Sequence, residues 1–185
     1  MSREVRICVL DGYTLNPGDN PWDDLARLGE LTIYDRTRPE EIVARAAGFE
    51  VVLTNKTRLD GQTLAQLPQL RFVSVLATGV NVIDLDAARR LGVAVSNVPV
   101  YGTDSVAQHT WALILALAQG VVEHDAAIRA GEWQRCPDFS FWHDAPVELA
   151  GRMLGIVGFG RIGRRVAELG SAFGMKILAT GGRRP

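Results

Sequence analysis

The residues with the clearest chemical role form a glycine-rich stretch, Gly158-Phe159-Gly160-Arg161-Ile162-Gly163. In a G-x-G-x-x-G stretch the first glycine permits a tight turn, the second lets a pyrophosphate approach the backbone, and the third lets a helix pack on a strand. The N-terminus of that helix presents unpaired N–H groups and a partial positive charge to the phosphates. We therefore expect Gly158, Gly160 and Gly163 to line a dinucleotide site.

The flanking sequence supplies the elements that such a site requires. Met153 to Val157 is an apolar run typical of a buried parallel strand, and residues 161–173 carry apolar side chains at helical spacing. The alternative is a glycine-rich corner between a strand and a helix that binds nothing. The presence of strand, turn and helix in this order favours the nucleotide.

The residues after the next predicted strand, Lys176 to Thr180, bear on which dinucleotide is bound. At this place a carboxylate normally accepts hydrogen bonds from the ribose hydroxyls of NAD. The chain reads Gly181-Gly182-Arg183-Arg184 instead and offers no acid. An arginine pairs with the 2′-phosphate of NADP through charge-assisted hydrogen bonds. Arg183 and Arg184 therefore favour NADP over NAD, and the alternative is a solvated basic tail.

Composition limits the classes of partner. The 185 residues are 47% hydrophobic with a net charge of −1, which gives no electrostatic reason to expect nucleic acid or an anionic membrane surface. Cys8 and Cys136 lie far apart without metal-ligand spacing, as expected of reduced thiols in the cytoplasm. No signal-like apolar core follows the charged start, and the longest apolar stretch, Trp111 to Ala118, is far too short to span a membrane.

The first hundred residues alternate short apolar strands with helical patterns, which predicts right-handed crossovers and one parallel α/β domain. The predicted strands are Val5 to Leu10, Leu31 to Tyr34, Val51 to Leu53, Phe72 to Val75 and Ala94 to Ser96. The predicted helices are Trp22 to Leu28, Pro39 to Ala47, Gly61 to Leu67 and Leu85 to Leu91.

A boundary between two parts of the chain is predicted near Pro99 to Asp104. Ser105 and Gln108 have the spacing of a capping box, which predicts that a helix begins at Ser105. The helix that follows is apolar on all sides, through Leu113, Leu115 and Leu117, so we expect it to be buried between domains or between subunits.

Several ordered stretches resemble those of one known family. They are Leu76-Ala77-Thr78-Gly79-Val80-Asn81, Ile83-Asp84-Leu85, Gly92-Val93, Asn97-Val98-Pro99 and Tyr101-Gly102-Thr103-Asp104-Ser105-Val106-Ala107-Gln108-His109. In this order they resemble the D-isomer-specific 2-hydroxyacid dehydrogenases. Three further stretches point to the glycerate dehydrogenase or hydroxypyruvate reductase branch: Leu53-Thr54-Asn55-Lys56-Thr57, Phe139-Ser140-Phe141-Trp142 and Glu148-Leu149-Ala150-Gly151.

The resemblance implies a fold and an activity. Residues 1–100 would form a flavodoxin-like substrate domain with a parallel sheet, and residues 101–185 the incomplete start of a Rossmann dinucleotide-binding domain. The activity implied is hydride transfer between a nicotinamide cofactor and a small 2-oxo or 2-hydroxy acid such as hydroxypyruvate, glycerate or glyoxylate. A homodimer formed through the helical region 105–130 is also expected.

The same resemblance implies roles for individual residues. Backbone groups of Thr78, Gly79 and Val80 would hold the substrate carboxylate, since a glycine-containing turn can aim N–H groups at an anion. The alternative is an ordinary turn between a strand and a helix. Thr103 would contact the cofactor, or serve only to begin a helix. Arg161 and Ile162 match the family's positions beside the pyrophosphate, with helix packing as the alternative for Ile162.

No catalytic residue is assigned, because the family's catalytic arginine, glutamate and histidine belong to a part of its sequence that this chain does not match. We expect His109 to be structural, His124 to lie on a solvated helix face and His143 to lie in a surface loop. Two readings of the function remain: an NAD(P)-dependent oxidoreductase represented by its N-terminal half, or a truncated, inactive remnant that binds only cofactor or a related subunit.

Overall fold

A computed structural model describes residues 4–16 and 18–181 of the chain. The chain divides into two compact units, Met1–Tyr101 and Gly102–Pro185. Each unit has its own sheet and its own core, and we describe them separately.

The first unit is built on a parallel sheet of five strands in the order β2-β1-β3-β4-β5. This order and the parallel pairing are those of a flavodoxin-like sheet, which confirms the predicted fold class of this part. The strands are β1 (Arg6–Val9), β2 (Glu30–Ile33), β3 (Val51–Thr54), β4 (Phe72–Val75) and β5 (Ala94–Asn97).

Short helices connect the strands, as expected of crossovers between parallel neighbours. The predicted helix after β2 is a 3-10 turn, Pro39–Glu41, that continues into an α-helix. The α-helices of this unit are α1 (Asp23–Ala26), α2 (Ile42–Ala46), α3 (Gly61–Ala65) and α4 (Leu85–Arg90).

Apolar side chains cover both faces of this sheet, because successive residues of a strand point to opposite sides. In β1, Cys8 packs into the larger core, which also contains Val52 and Val73, whereas Ile7 and Val9 pack into the smaller core on the other face. Burial raises the pKa of the Cys8 thiol to about 12, so this thiol stays protonated at neutral pH.

Asp11, two residues after β1, fixes the loop that follows β3. The residue as a whole is only 8% exposed, and its carboxylate is well supplied with hydrogen bonds. It accepts hydrogen bonds from the backbone N–H groups of Asn55, Lys56 and Thr57, at 2.8, 2.6 and 2.8 Å. The hydroxyl groups of Thr54 and Thr57 donate to the same carboxylate, at 3.2 and 3.1 Å. The charge of Asp11 is therefore compensated by four donors from the loop and one from Thr54, the last residue of β3.

The second unit has two parallel strands, β6 (Met153–Val157) and β7 (Lys176–Thr180), in register from Met153 opposite Lys176. Both strands have the predicted bounds. The helices of this unit are α5 (Thr103–Gln119), α6 (Val121–Arg129), α7 (Glu132–Arg135) and α8 (Arg161–Ala172).

Trp111 of α5 organises the core of the second unit. Its indole N–H donates to the carbonyl of Val166 in α8 at 3.1 Å, and its ring stacks on Phe173 at 4.8 Å. One face of the β6–β7 pair packs here through Leu154 and Ile156. The other face is open, and Val157 is 92% exposed on it.

The start of α5 differs from the prediction. The helix begins at Thr103 with Gly102 as its N-cap, and the Val106 N–H donates to the Gly102 carbonyl at 2.9 Å. Ser105 therefore lies inside the first turn and cannot be the N-cap. The predicted capping box of Ser105 with Gln108 was wrong. The error arose because a capping box was assigned from residue spacing, whereas the helical backbone bonds begin earlier.

The apolar character of α5 is only partly accounted for within the chain. Its fully buried residues are Ala107 and Trp111, whereas Leu117 is 85% exposed.

Within the described ranges no single helix is long and apolar enough to cross a membrane. Only α5 and α6 taken together, a pair bent by 60°, pass the criterion of length and composition.

The hydrogen bonds to Asp11 lead to a stability prediction. Asp11→Ala should lower the free energy of unfolding of the first unit by about 2 to 4 kcal/mol, because three backbone N–H groups and two hydroxyl groups lose their acceptor in a half-buried loop. Urea unfolding followed by circular dichroism measures the change. Asp35→Ala is the matched control: Asp35 is exposed, and its removal should change the value by less than about 0.5 kcal/mol. Equal losses in the two variants would contradict the role given to Asp11.

Candidate functional site

The turn between β6 and α8 contains the glycine stretch. Gly158 follows β6 directly with a φ of +93°, a conformation that residues with a side chain rarely adopt. Its N–H donates to the carbonyl of Thr180 at the end of β7, at 2.8 Å. The turn is thus tied to both strands of the sheet at their carboxyl ends, where open α/β sheets bind ligands.

The other two glycines of the stretch are explained by distances rather than by φ. A Cβ atom on Gly163 would overlap the carbonyl oxygen of Gly158, so only glycine lets α8 come this close to the turn. A Cβ atom on Gly160 would meet no heavy atom within 4 Å. Gly160 is the N-cap of α8, and no side chain caps this helix. The space in front of the first turn of α8 is therefore open.

Arg161 and Ile162 are the first two residues of α8 and flank this open space. The Ile162 side chain is 43% exposed. Helix packing, the alternative explanation for an apolar residue at this position, buries only part of Ile162. The packed face of α8 is formed instead by Val166 and Leu169.

Thr103 lies at the beginning of α5, next to an ion pair that joins α5 to α8. The Arg165 guanidinium in α8 lies 2.8 Å from the Asp104 carboxylate and 2.9 Å from that of Glu168. These carboxylates raise the pKa of Arg165 above its ordinary value, with the Glu168 hydrogen bond as the largest cause. The ion pair places the first turn of α5, including Thr103, beside the N-terminal half of α8.

Thr78, Gly79 and Val80 form the turn after β4, in the first unit. The Thr78 hydroxyl donates to the carbonyl of Val98 at 3.0 Å. Gly79 has an ordinary negative or extended φ, so its conformation does not require glycine. Among the residues that the structure describes, none accepts a hydrogen bond from the backbone N–H groups of Thr78, Gly79 and Val80. Three consecutive N–H groups of this turn thus have no acceptor among the described residues, as the N–H groups of an anion-binding turn do before the anion is bound.

The three histidines, His109, His124 and His143, all belong to the second unit, and each has its own local surroundings. His109 is exposed on α5. His124 is half-buried rather than on a solvated face: its Nδ1 lies 2.7 Å from the Gly120 carbonyl and its ring packs against Phe141. His143 lies in an exposed loop as expected, 3.0 Å from the Glu132 carboxylate.

The structure says less about two further points, the arginines after β7 and metal binding. Arg183 and Arg184, on which the preference for NADP depends, lie outside the described residues. Within residues 4–16 and 18–181, no group of three or more His, Cys, Asp or Glu side chains is arranged to hold a metal ion.

Comparison with known proteins decides the family. The sequence model of the D-isomer specific 2-hydroxyacid dehydrogenase catalytic domain matches residues 13–176. The chain belongs to the D-isomer-specific 2-hydroxyacid dehydrogenase family. The predicted resemblance is therefore confirmed.

Individual members of the dehydrogenase family give the extent of the match. A hydroxypyruvate reductase of Blautia hydrogenotrophica is 44% identical over 178 residues, which are 95% of this chain and 55% of that protein. A glyoxylate reductase of Aeropyrum pernix is 43% identical over 161 residues, 83% of this chain and 48% of that protein. The chain spans about half the length of the curated relatives that it matches.

A solved structure of the family supports the same conclusion. The 2-hydroxyacid dehydrogenase of Ketogulonicigenium vulgare matches with a TM-score of 0.75 and 25% identity, over 96% of this chain and 54% of that one. The shared part corresponds to a parallel-sheet substrate domain and a partial Rossmann domain.

One residue beside the turn of Thr78 was missed as a functional candidate. Asn97, the last residue of β5, donates from Nδ2 to the Thr78 carbonyl at 2.8 Å. Asn97 belongs to one of the stretches that resemble the family. Its contact with Thr78, however, depends on the pairing of β4 with β5, and no pattern of neighbouring residues in the sequence indicates that contact.

Proposed function

We propose that this chain is the N-terminal half of an NAD(P)-dependent D-2-hydroxyacid dehydrogenase. The reaction is hydride transfer between a nicotinamide cofactor and a small 2-oxo or 2-hydroxy acid, such as hydroxypyruvate and glycerate, or glyoxylate. In this proposal residues 1–100 form the substrate domain and residues 101–185 the dinucleotide-binding domain. The main support for this proposal is the geometry of the turn at Gly158, together with the membership of the chain in the dehydrogenase family.

The residues at this turn fit a dinucleotide. The close contact between Gly163 and the Gly158 carbonyl brings the N-terminus of α8 to the end of β6, and the open space at Gly160 leaves room for a pyrophosphate. First-turn N–H groups of a helix have no partner within the helix and attract negative charge. Arg161, Ile162 and Thr103 would line this space. When bound, the nicotinamide supplies or accepts the hydride.

The turn of Thr78, Gly79 and Val80 would hold the substrate. A carboxylate accepts hydrogen bonds from backbone N–H groups, and bonds to an ionised group are stronger than those between neutral groups. Three N–H groups without a described partner suit this role. Binding the carboxylate orients the 2-oxo carbon, which is the atom that accepts the hydride.

Reduction of a 2-oxo acid also needs an acid to protonate the developing alkoxide and a cation to polarise the carbonyl. The family uses a histidine paired with a glutamate, and an arginine, and none of these roles is assigned to a residue of this chain. We therefore expect the 185-residue chain to bind the cofactor without turning over substrate. The second candidate is an inactive remnant that binds only cofactor or a related subunit; of these two forms, the one that binds only a subunit would bind no cofactor at the glycine turn.

A binding and turnover experiment tests the proposal. Titration of the purified chain with NADPH, followed by nucleotide fluorescence, should show saturable binding, and addition of hydroxypyruvate should leave the absorbance of the reduced nicotinamide unchanged. Gly160→Ala should weaken binding at least about tenfold, equivalent to about 1.4 kcal/mol, because the new methyl group points into the space kept for the pyrophosphate. The thermal unfolding of this variant should match that of the original chain, since no neighbour lies within 4 Å.

The outcomes separate the candidates. Absence of NADPH binding would remove the cofactor site and leave the subunit-binding remnant. Oxidation of NADPH by the chain and hydroxypyruvate would show that residues present here catalyse the reaction, against our expectation. Equal binding by Gly160→Ala would place the nucleotide somewhere other than the glycine turn.

NADP is favoured over NAD within this proposal. The support is the sequence after β7, which has Arg183 and Arg184 and no carboxylate. Replacing both arginines with alanine should weaken NADPH binding by about ten- to a hundredfold, because charge-assisted bonds to the 2′-phosphate are lost, and should change NADH binding little. Fluorescence titrations with the two cofactors measure the difference. Parallel losses for both would identify these arginines as a solvated basic tail.

A homodimer through the helical region 105–130 is a further part of the proposal. Its support is the set of large apolar side chains that this region leaves exposed in one chain: Val106, Leu113, Leu117, Val121, Val122 and Ile128. Sedimentation velocity should give a dimer, and Leu117→Glu should shift it to monomer, because a charge would enter a desolvated interface. Leu28→Glu is the matched control, since Leu28 is 69% exposed in the first unit. A monomeric original chain would contradict this part.

We also propose a cytoplasmic location, supported by the two free cysteines, Cys8 and Cys136. Fractionation of the host cell with an antibody to the chain measures the location directly. Recovery with the secreted or envelope fraction would contradict it.

A further inference from the structure

Two successive carbonyl groups after β4 are held by residues of the neighbouring strand β5 and its extension. The Val98 N–H donates to the Ala77 carbonyl at 3.1 Å. The Asn97 side chain donates from Nδ2 to the Thr78 carbonyl at 2.8 Å. The register of the sheet makes this possible, because Asn97 lies opposite Val75 at the end of β4.

These two bonds also determine where the N–H groups of the turn point. In a trans peptide the carbonyl and the following N–H point in opposite directions within one plane. No peptide bond in the described ranges is cis. Holding the carbonyls of Ala77 and Thr78 toward β5 therefore directs the N–H groups of Thr78 and Gly79 away from β5. These are two of the three N–H groups left without a described partner.

Only one of the two bonds depends on residue type. A backbone N–H at position 98 is supplied by any residue other than proline. The bond to the Thr78 carbonyl requires a side chain with a donor at position 97. The side chain of the preceding residue has a different contact: the Ser96 hydroxyl lies 3.4 Å from that of Ser74. The Thr78 hydroxyl also bonds to the Val98 carbonyl, at 3.0 Å, but the carbonyl of the Thr78–Gly79 peptide is held by the side chain of Asn97.

We infer that Asn97 is a positioning residue for substrate binding: by holding the Thr78 carbonyl it keeps the Gly79 N–H directed at the substrate carboxylate. The inference rests on the proposed function, because it takes the turn of Thr78, Gly79 and Val80 as the carboxylate site. Asn97 itself does not touch the substrate. Its effect is preorganisation, since a peptide that is already oriented loses less conformational freedom when the anion binds.

The first measurement reads the orientation without any ligand. In the isotope-labelled 185-residue chain, Asn97→Leu removes the donor at similar side-chain volume. We expect a changed Gly79 amide resonance and a larger amplitude of backbone motion at Gly79 by nitrogen-15 relaxation, with the resonances of β1 and β3 unchanged. Ser96→Ala is the matched control on the same strand and should leave Gly79 as it is.

The second measurement uses oxamate, a stable analogue of a 2-oxo acid with the same carboxylate. Titration of the original chain should shift the Gly79 and Val80 amide resonances. Asn97→Leu should raise the dissociation constant about tenfold, as expected when an oriented donor is lost. Ser96→Ala should bind as the original chain does.

The results distinguish the inference from the function on which it rests. If Asn97→Leu leaves both the Gly79 resonance and oxamate binding unchanged, the positioning role is overturned. If the original chain shows no oxamate shift at Gly79, the carboxylate site is overturned, and the ligand-free measurement still reports whether Asn97 holds the peptide. If the leucine variant does not fold, Asn97→Asp decides the ligand-free question, because an ionised carboxylate of the same shape cannot donate to the Thr78 carbonyl; an unchanged Gly79 in this variant also overturns the role.

Discussion

A backbone N–H group that leaves a β-ladder needs another partner, and both candidate sites in this chain are built from such groups at the carboxyl ends of parallel strands. After β4, the N–H groups of Thr78, Gly79 and Val80 have no partner among the described residues. After β6, no side chain caps α8. Because an N–H group without a partner favours a negatively charged acceptor, each turn suits one anionic part of the reaction that we propose.

The two turns reach this state by different physical means. At Gly158 the conformation itself requires glycine, and Gly163 is needed because α8 approaches the turn too closely for a side chain. Gly79 has no such φ, and a Cβ atom there would lie 3.1 Å from Asn81 Oδ1. Its turn is held from outside by Asn97. The conformation of the turn at Gly158 is therefore determined by a local glycine pattern. The conformation of the turn at Gly79 is determined by the pairing of β4 with β5.

This difference explains what the sequence could predict. The strands were located correctly because their apolar runs are local signals, and β6 and β7 have the predicted bounds. The roles of Gly158 and Gly163 also follow from a local motif. The contact of Asn97 with Thr78 could not be predicted in the same way, because it joins residues 19 positions apart through the register of β4 and β5.

The errors have a similar origin. The capping box at Ser105 was assigned from spacing alone, but α5 begins at Thr103, where the backbone of Gly102 accepts the first helical bond. His124 was expected on a solvated face because charged residues flank it. The chain returns after α7 and brings Phe141 against the imidazole, which no helical pattern could indicate.

The turn at Gly158 is supported by a core on one side only. Leu154 and Ile156 pack toward Trp111 and α8, whereas Met153 and Val157 of the same strand are exposed. Gly170 shows how tight the packed side is, because a Cβ atom there would lie 2.9 Å from Leu154 Cδ2 and 3.2 Å from the Trp111 ring. The position of Gly158 at the end of β6 therefore depends on the contacts of Trp111 and α8 with one face of the strand. A partner that covered the other face would stabilise the same turn, so if the proposed cofactor binds there, its binding and the burial of this face are thermodynamically coupled.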